Sequence, residues 1–429
     1  MSRLRDVSVD VVVIGGGPAG IAAATRGSEA GKRVLVLDEA PHLGGQIWRH
    51  LSRETLPAKA RSWLDRFDRS GAEGLTEASV VDLQDARVLA VRWNEEVRVR
   101  APHVIIATGA RELLLPFPGW TLPNVMGVGG LQALVKSGAS VAGKRVALAG
   151  AGPLVLPVAA ALAQAGARLV VVADRTSASR VLRFAASLAG RPGDLWQGVR
   201  YRAQFAGTRY RWGTRVIAAA GESRVQEATF SAGGRTWTEP VDLLGAAAGL
   251  VPNTELARLA GCEVRGGGGG VVMVDALQKS SRAGVWCAGE PTGVGGVDLA
   301  LVEGEIAGLD AAGQPVPPRL LKARDAGRAY ARRLDLAFGL DGLDAVDLPP
   351  PETIVCRCED VPCSAFDKSW TMRQAKLYTR AGMGPCQGRV CGAALHAMFG
   401  WPPDSVRAPL VPTPVASLIS TLESSDATT

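Results

Sequence analysis

Four cysteines toward the end of the chain form two tight pairs, Cys356-Arg-Cys358 and Cys386-Gln-Gly-Arg-Val-Cys391, out of seven cysteines in all. Each pair can present two thiolates to one centre, and four thiolates hold a [2Fe–2S] or [4Fe–4S] cluster, or a zinc ion. Cys363, between the pairs, reads as a bystander, and Cys262 and Cys287 lie in apolar strings that read as core. His42, His50, His103 and His396 are the only histidines. None stands in a nucleophile or base constellation, so no catalytic acid or base is assigned.

The second chemical signal is at the other end. Gly15, Gly17 and Gly20 fit GxGxxG, with Pro18 and Ala19 between them, after an apolar strand Asp10–Ile14 and before an alanine-rich helix from Ile21. The first glycine permits the tight turn, the second lets a pyrophosphate approach the backbone, and the third lets helix and strand pack closely. A strand Arg33–Leu37 follows, ending on Asp38 with Glu39 beside it, the spacing at which a carboxylate can accept ribose hydroxyls. Gly45 and Gln46, in the turn Gly44–Arg49, suit close approach by an extended cofactor. The strand ends Ala107-Thr108-Gly109 and Gly289-Glu290 would meet the same dinucleotide. Together these imply FAD. No CxxC pair accompanies them, which argues against dithiol exchange beside the flavin. A flavin nearby favours iron–sulfur over zinc at the cysteines, because zinc has no redox use there.

A second βαβ unit starts at Arg145. Gly150 and Gly152 are present, but Val155 holds the third glycine position. The residue that matches Asp38 in spacing is Ala173, followed by Asp174 and Arg175. This degraded motif reads as a possible second nucleotide site, for NAD(P) or another nucleotide, or as a structural remnant.

These elements predict an α/β chain of two dinucleotide-binding domains with a small helical cysteine module. The expected division is 1–118 with 249–314 for FAD and 119–248 for the second fold. A linker helix follows within 315–350, then the cysteine module at 351–400 and a tail at 401–429. Length of 429 residues allows two or three cores. No apolar run approaches the roughly 20 residues of a membrane span. The early arginines lead straight into a strand, not a signal peptide, and the clustered cysteines suit a reducing cytoplasm. The net charge of +7 is uneven: residues 175–215 hold nine arginines against one acid, Asp194. Without a nucleic-acid module elsewhere, that stretch reads as a docking face for an acidic partner or as a solvated face over packed aromatics.

Longer phrases carry a resemblance: GGGPAG (15–20), LDEAPHLGGQIWR (37–49), IIATGARELLLPFPGW (105–120), GVWCAGEPTGVGGVDLALVEGEIAG (284–308) and TRAGMGPCQGRVCG (379–392). The chain resembles the FAD-containing α (A/B) subunits of bacterial opine oxidases, hydrogen cyanide synthase and proline or hydroxyproline dehydrogenases. The resemblance implies FAD in the first domain and a [2Fe–2S] module like bacterioferritin-associated ferredoxin on Cys356, Cys358, Cys386 and Cys391. It also implies a D-amino-acid-oxidase-like flavoprotein partner that oxidises the amine, with a small third subunit in some assemblies. The chain departs from the family at Gly289-Glu290, where flavoproteins usually carry Gly-Asp. The resulting expectation is an electron-transfer subunit of an amino-acid or imino-acid dehydrogenase. The rivals are a free-standing NAD(P)H-dependent flavin reductase and a non-catalytic cluster-carrying docking protein.

Overall fold

The computed structural model describes residues 3–84, 87–92, 95–267, 269–339, 348–403 and 406–417. They form two compact bodies. The first takes the chain up to Ala110, Pro252–Ala331 and the described residues after 405; the second takes Arg111–Val251 and the described residues from Arg332 to 403.

In the first body, β1 (Val11–Ile14) is buried throughout and lies inside a five-stranded parallel sheet. Its neighbours are β2 (Val34–Leu37) on one side and His103–Ile106 on the other, with Glu73–Leu75 and Val285–Cys287 at the edges. Short runs of Val, Ile and Leu are what a strand covered on both faces requires. Helix α1 (Pro18–Glu29) starts directly after Gly17, three residues before the expected Ile21, because proline is well placed in the first turn of a helix. A four-stranded sheet ordered Arg3–Ser8, Glu95–Arg100, Arg87–Arg92, Ser79–Gln84 covers the other side of the core.

Close backbone approach governs this body. A Cβ on Gly20 would lie 1.8 Å from the Gly15 carbonyl oxygen. On helix Val297–Ala311, a Cβ at Gly304 would lie 2.1 Å from Ala19 O, and one at Gly308 would lie 2.2 Å from Ala23 O. That helix therefore seats its glycines directly on the α1 backbone.

The second body repeats the plan. Its parallel sheet runs Val125–Met126, Leu243–Ala246, β3 (Arg145–Gly150), β4 (Arg168–Asp174), Arg209–Trp212. Helix α2 (Val155–Gln164) follows β3, and a three-stranded antiparallel sheet spans Arg215–Pro240. The cysteine segment belongs to this same body rather than standing apart. Its core gathers Val355, Val361, Ala375, Leu395 and Trp401, and its helix Met372–Thr379 carries a capping box from Thr371 and Gln374. The long helix Pro318–Phe338 lies within the 315–350 segment read as a linker. Residues 340–347 of the linker and 418–429 of the tail lie outside the described residues.

Gly304→Val should cost about 2–3 kcal/mol in denaturant unfolding, since the added side chain meets backbone, which cannot rotate away. An unchanged midpoint would show that the two helices separate easily.

Candidate cofactor sites

The first glycine turn is built for an open face. Gly15, at φ +104°, leaves β1 where any Cβ would strike Ala107 O at 2.3 Å. A Cβ on Gly17 would meet only Gly45 Cα, at 3.9 Å, so the backbone there is approachable from outside. The Gly44-Gly45 turn is tied down by Gly44 N–H donating to Gly16 O at 2.7 Å. Asp38 is buried at the end of β2, accepting from the amides of Gly16 and of Ala40, the latter at 2.7 Å. Burial raises its pKa, against the pull of those two amides. Glu39 beside it is exposed. Arg49 Nε is buried without a hydrogen-bond partner, and its charge bears on Asp38.

The two later strand ends reach this region by different means. Thr108 is locked to Asn253: its hydroxyl donates to Asn253 O at 2.7 Å and Asn253 Nδ2 donates to Thr108 O at 2.9 Å. Gly289, at φ +81°, brings Glu290 into a half-buried position where one carboxyl oxygen accepts from Gly296 N–H at 3.0 Å. The other, Oε2, is buried with no partner. Burial pushes the Glu290 carboxyl up to about 7, opposed by the amides of Gly296 and Gly295 and assisted by the charge of Glu303.

Glu303 is a residue that motif reading missed. It is 1% exposed, accepts from Gly289 N–H at 2.9 Å and from the Thr292 hydroxyl at 2.8 Å, and pairs with Arg328 at 2.9 Å. It fixes the Gly289 turn from behind. The available signal was an acid on the apolar face of a helix, a position that carboxylates occupy only with partners.

In the second fold the acid turns out not to be displaced. The β3–β4 ladder shifts register at Val146/Ala147, absorbing one residue, and pairs Gly150 with Asp174. Asp174 then accepts from Thr176 N–H, two residues on, as Asp38 does from Ala40. The expectation that Ala173 matches Asp38 is corrected: a β-bulge is invisible to residue counting. Val155 fills the space of the missing third glycine, its Cγ2 lying 2.4 Å from where a Gly150 Cβ would be.

The four cysteine thiols gather in one module as two contacting pairs. Cys356 is hydrogen-bonded with Cys391, and Cys358 with Cys386, so each pair takes one member from each sequence motif. Backbone amides of Gly382, Glu359 and Cys358 also point at the Cys356 sulfur. The Cys391 hydrogen bond and these amides pull Cys356 down to about 6 against burial, while Cys391 is raised by the same bond and by burial. Among the described residues no group of three or more potential ligands stands in metal-holding geometry. The helix that follows the second cysteine motif starts late. Gln387 (φ +50°) and Gly388 (φ +78°) are left-handed, so the helix begins only at Cys391. Cys363 is buried in the module core and Cys287 is wholly buried in the first body.

The segment Arg111–Trp120 seats this module on the second fold. Arg111 Nε donates to Arg389 O at 2.9 Å, Trp120 Nε1 donates to Ile354 O at 2.6 Å, and Leu113 and Val251 pack on Ala393. Glu112 turns the other way. Its carboxylate accepts from Gly129 and Gly130 N–H at 2.7 and 3.1 Å, supplying the anion at the start of helix Val128–Lys136. In the arginine-rich stretch, helices Ala178–Ser187 and Pro192–Ala203 bury no residue, and Trp196 is 70% exposed. Phe205 is buried and Tyr210 packs against the same core. Arg209 pairs with Glu239 and Arg211 lies over Trp237. The histidines serve packing: His42 stacks on His50, His103 meets Trp286 edge-on, and His396 bonds Trp401 O.

Two dinucleotide folds, the first with an open glycine turn, a buried acid at the end of the second strand and an unsatisfied carboxyl oxygen at a later strand end, define an FAD-type oxidoreductase. Residues 9–314 match the pyridine nucleotide-disulphide oxidoreductase family, and the chain belongs to it. The A subunit of opine oxidase from Rhizobium meliloti (strain 1021) is 33% identical over 424 residues, spanning 91% of this chain and 92% of that protein. Hydrogen cyanide synthase subunit HcnB of Pseudomonas protegens is 27% identical over 424 residues, 90% of each. In structure the chain is similar to L-proline dehydrogenase from P. horikoshii, with a TM-score of 0.69 at 19% identity, covering 97% of this chain and 81% of that one. The resemblance read from the sequence phrases is thereby borne out. No helix among the described residues is long and apolar enough to cross a membrane.

Glu290 supplies a pH signature. Its folded pKa of about 7 lies above the ordinary 4.5, so its contribution to stability is whole below pH 4.5 and is lost as pH rises to about 7. Glu290→Gln should flatten that part of the melting-temperature profile of the FAD-free protein. Identical wild-type and variant profiles from pH 4.5 to 7 would refute the burial argument.

Proposed function

We propose that this chain is the FAD- and [2Fe–2S]-containing electron-transfer subunit of a multi-subunit dehydrogenase acting on amino or imino acids of the proline, hydroxyproline or opine type. The observation that supports this is the pair of thiol contacts, Cys356 with Cys391 and Cys358 with Cys386, in one small module of a chain that also bears an open FAD-type turn. FAD would lie across Gly15–Gly20, with its pyrophosphate at Gly17 and the α1 N-terminus, and its adenosine ribose at Asp38. Gly45, Gln46 and the Ala107–Gly109 turn would border it, and Glu290 Oε2 would find its missing partner on the cofactor's hydroxyl-bearing chain. Cys356, Cys358, Cys386 and Cys391 would hold the cluster, with the Gly382, Glu359 and Cys358 amides offsetting its negative charge. When bound, the flavin accepts electrons in pairs and releases them singly, which suits it to feed a one-electron centre.

The described residues of the site are assigned to binding, orienting and screening, and no catalytic base for an amine is assigned among them. Substrate oxidation is therefore assigned to a separate flavoprotein partner, in keeping with relatives that are themselves named as single subunits of larger enzymes. The exposed arginine-rich helices of the second body are the docking face assigned to that partner. A cytoplasmic location fits a four-thiol iron site.

Purified anaerobically, the protein should release FAD on denaturation and carry roughly two irons per chain. Cys358→Ser should abolish the iron and its visible absorption while leaving FAD. Gly17→Val should do the reverse, since its side chain has room in the protein but occupies the pyrophosphate approach. Stoichiometric zinc in place of iron would refute the cluster. Steady-state assays should show negligible amine oxidation by the chain alone and turnover with its flavoprotein partner; rapid oxidation by the isolated chain would overturn the subunit reading.

A further inference from the structure

The two dinucleotide folds of this chain start alike but differ over the second glycine. At Gly17 the outer face is open. At Gly152 a Cβ would lie 2.7 Å from Cγ and 2.9 Å from Cδ1 of the Phe338 ring. Phe338 is the last residue of the long helix Pro318–Phe338, and Gly152 beneath it is buried. The ring is held edge-on by Phe184, with centroids 5.0 Å apart. The neighbouring turns are tied down as well: Arg180 Nη2 donates to Leu336 O at 2.9 Å, and Arg333 Nη1 donates to Ser187 O at 2.8 Å. The helix end is thus fastened onto the glycine that would otherwise let a pyrophosphate approach.

Three independent features of the fold agree with this. Asp174, level with Gly150 and so placed to meet a ribose, already accepts from Tyr210 O–H at 2.8 Å, Thr176 N–H at 2.8 Å and Gly152 N–H at 3.4 Å. Arg175, the candidate for a 2′-phosphate, donates to Ala248 O at 3.1 Å. Gly152 is left-handed (φ +72°), and Gly152–Leu154 forms a 3₁₀ turn, so α2 starts at Val155 instead of directly after the glycine as α1 does. The unpaired amides that would attract a phosphate are displaced along the chain.

The geometry points to Phe338 as a built-in occupant of the second fold's pyrophosphate position, closing that fold to nicotinamide and other nucleoside-diphosphate ligands. A plug at this point makes a chain that keeps two dinucleotide folds yet takes no electrons from NAD(P)H. It holds whether or not the cysteines carry a cluster, and it makes the second fold a seat for the cysteine module and for the helix end.

The test is nucleotide binding to the FAD-loaded protein, by titration calorimetry with ADP and with NADH, alongside anaerobic absorbance of the flavin under NADH. Wild-type protein should show no saturable heat and no bleaching. Phe338→Ala should raise the apparent affinity for ADP by at least roughly tenfold, because the open form no longer competes with a bound ring. Phe338→Leu, which refills the space, should stay closed. Flavin content and melting temperature check the folding of each variant. Should Phe338→Ala fail that check, Phe184→Ala loosens the ring from its far side and should open the fold to ADP in the same way. Saturable ADP or NADH binding by wild type that Phe338→Ala leaves unchanged would overturn the plug, as would well-folded open variants that bind no better than wild type. Turnover with the flavoprotein partner is a separate readout, so failure of the plug and failure of the electron-transfer reading are told apart.

Discussion

Backbone-on-backbone contact at α1 is the constraint on which the first body depends. Gly20 lets α1 rest on the Gly15 carbonyl, and Gly304 and Gly308 let a second helix rest on Ala19 and Ala23. With Cβ atoms at these points α1 would be pushed off the sheet, and its N-terminus would no longer stand over the turn after β1. The open face at Gly17, the buried Asp38 and the arrival of Glu290 are all measured from that one helix. Glycine is costly in a helix, by about 1 kcal/mol relative to alanine; here it is used where nothing larger fits.

Charge burial is the second theme. Glu303 is satisfied by Gly289, Thr292 and Arg328 and so holds the Gly289 turn in its left-handed form. Glu112 is satisfied by the first amides of helix Val128–Lys136. Glu290 is the exception, with one oxygen satisfied and the other buried without a partner. An unsatisfied buried carboxyl oxygen is expensive, which makes it the strongest local sign in the first body that something else belongs there.

The second fold shows the same architecture put to another use. Its glycine turn faces the chain's own Phe338, its acid holds Tyr210, and the segment after its entry strand anchors the cysteine module through Arg111, Leu113 and Trp120. A fold suited to binding dinucleotides here does structural work, and residues of the phrase RELLLPFPGW make that seat.

Residue types and spacing by themselves determined the two βαβ starts, the parallel sheets and the family, since these depend on local motifs and on periodic burial. They singled out Gly15, Gly17, Gly20 and Asp38 as candidates for the same reason. Tertiary structure alone decided the rest. It levelled Asp174 with Gly150 through a bulge that counting residues cannot detect. It set the start of the cysteine helix at Cys391, after two left-handed residues. It crossed the cysteine pairs, so that Cys356 meets Cys391 and Cys358 meets Cys386. And it brought Phe338 onto Gly152, residues far apart in the chain, where only packing could show that a nucleotide motif is already filled.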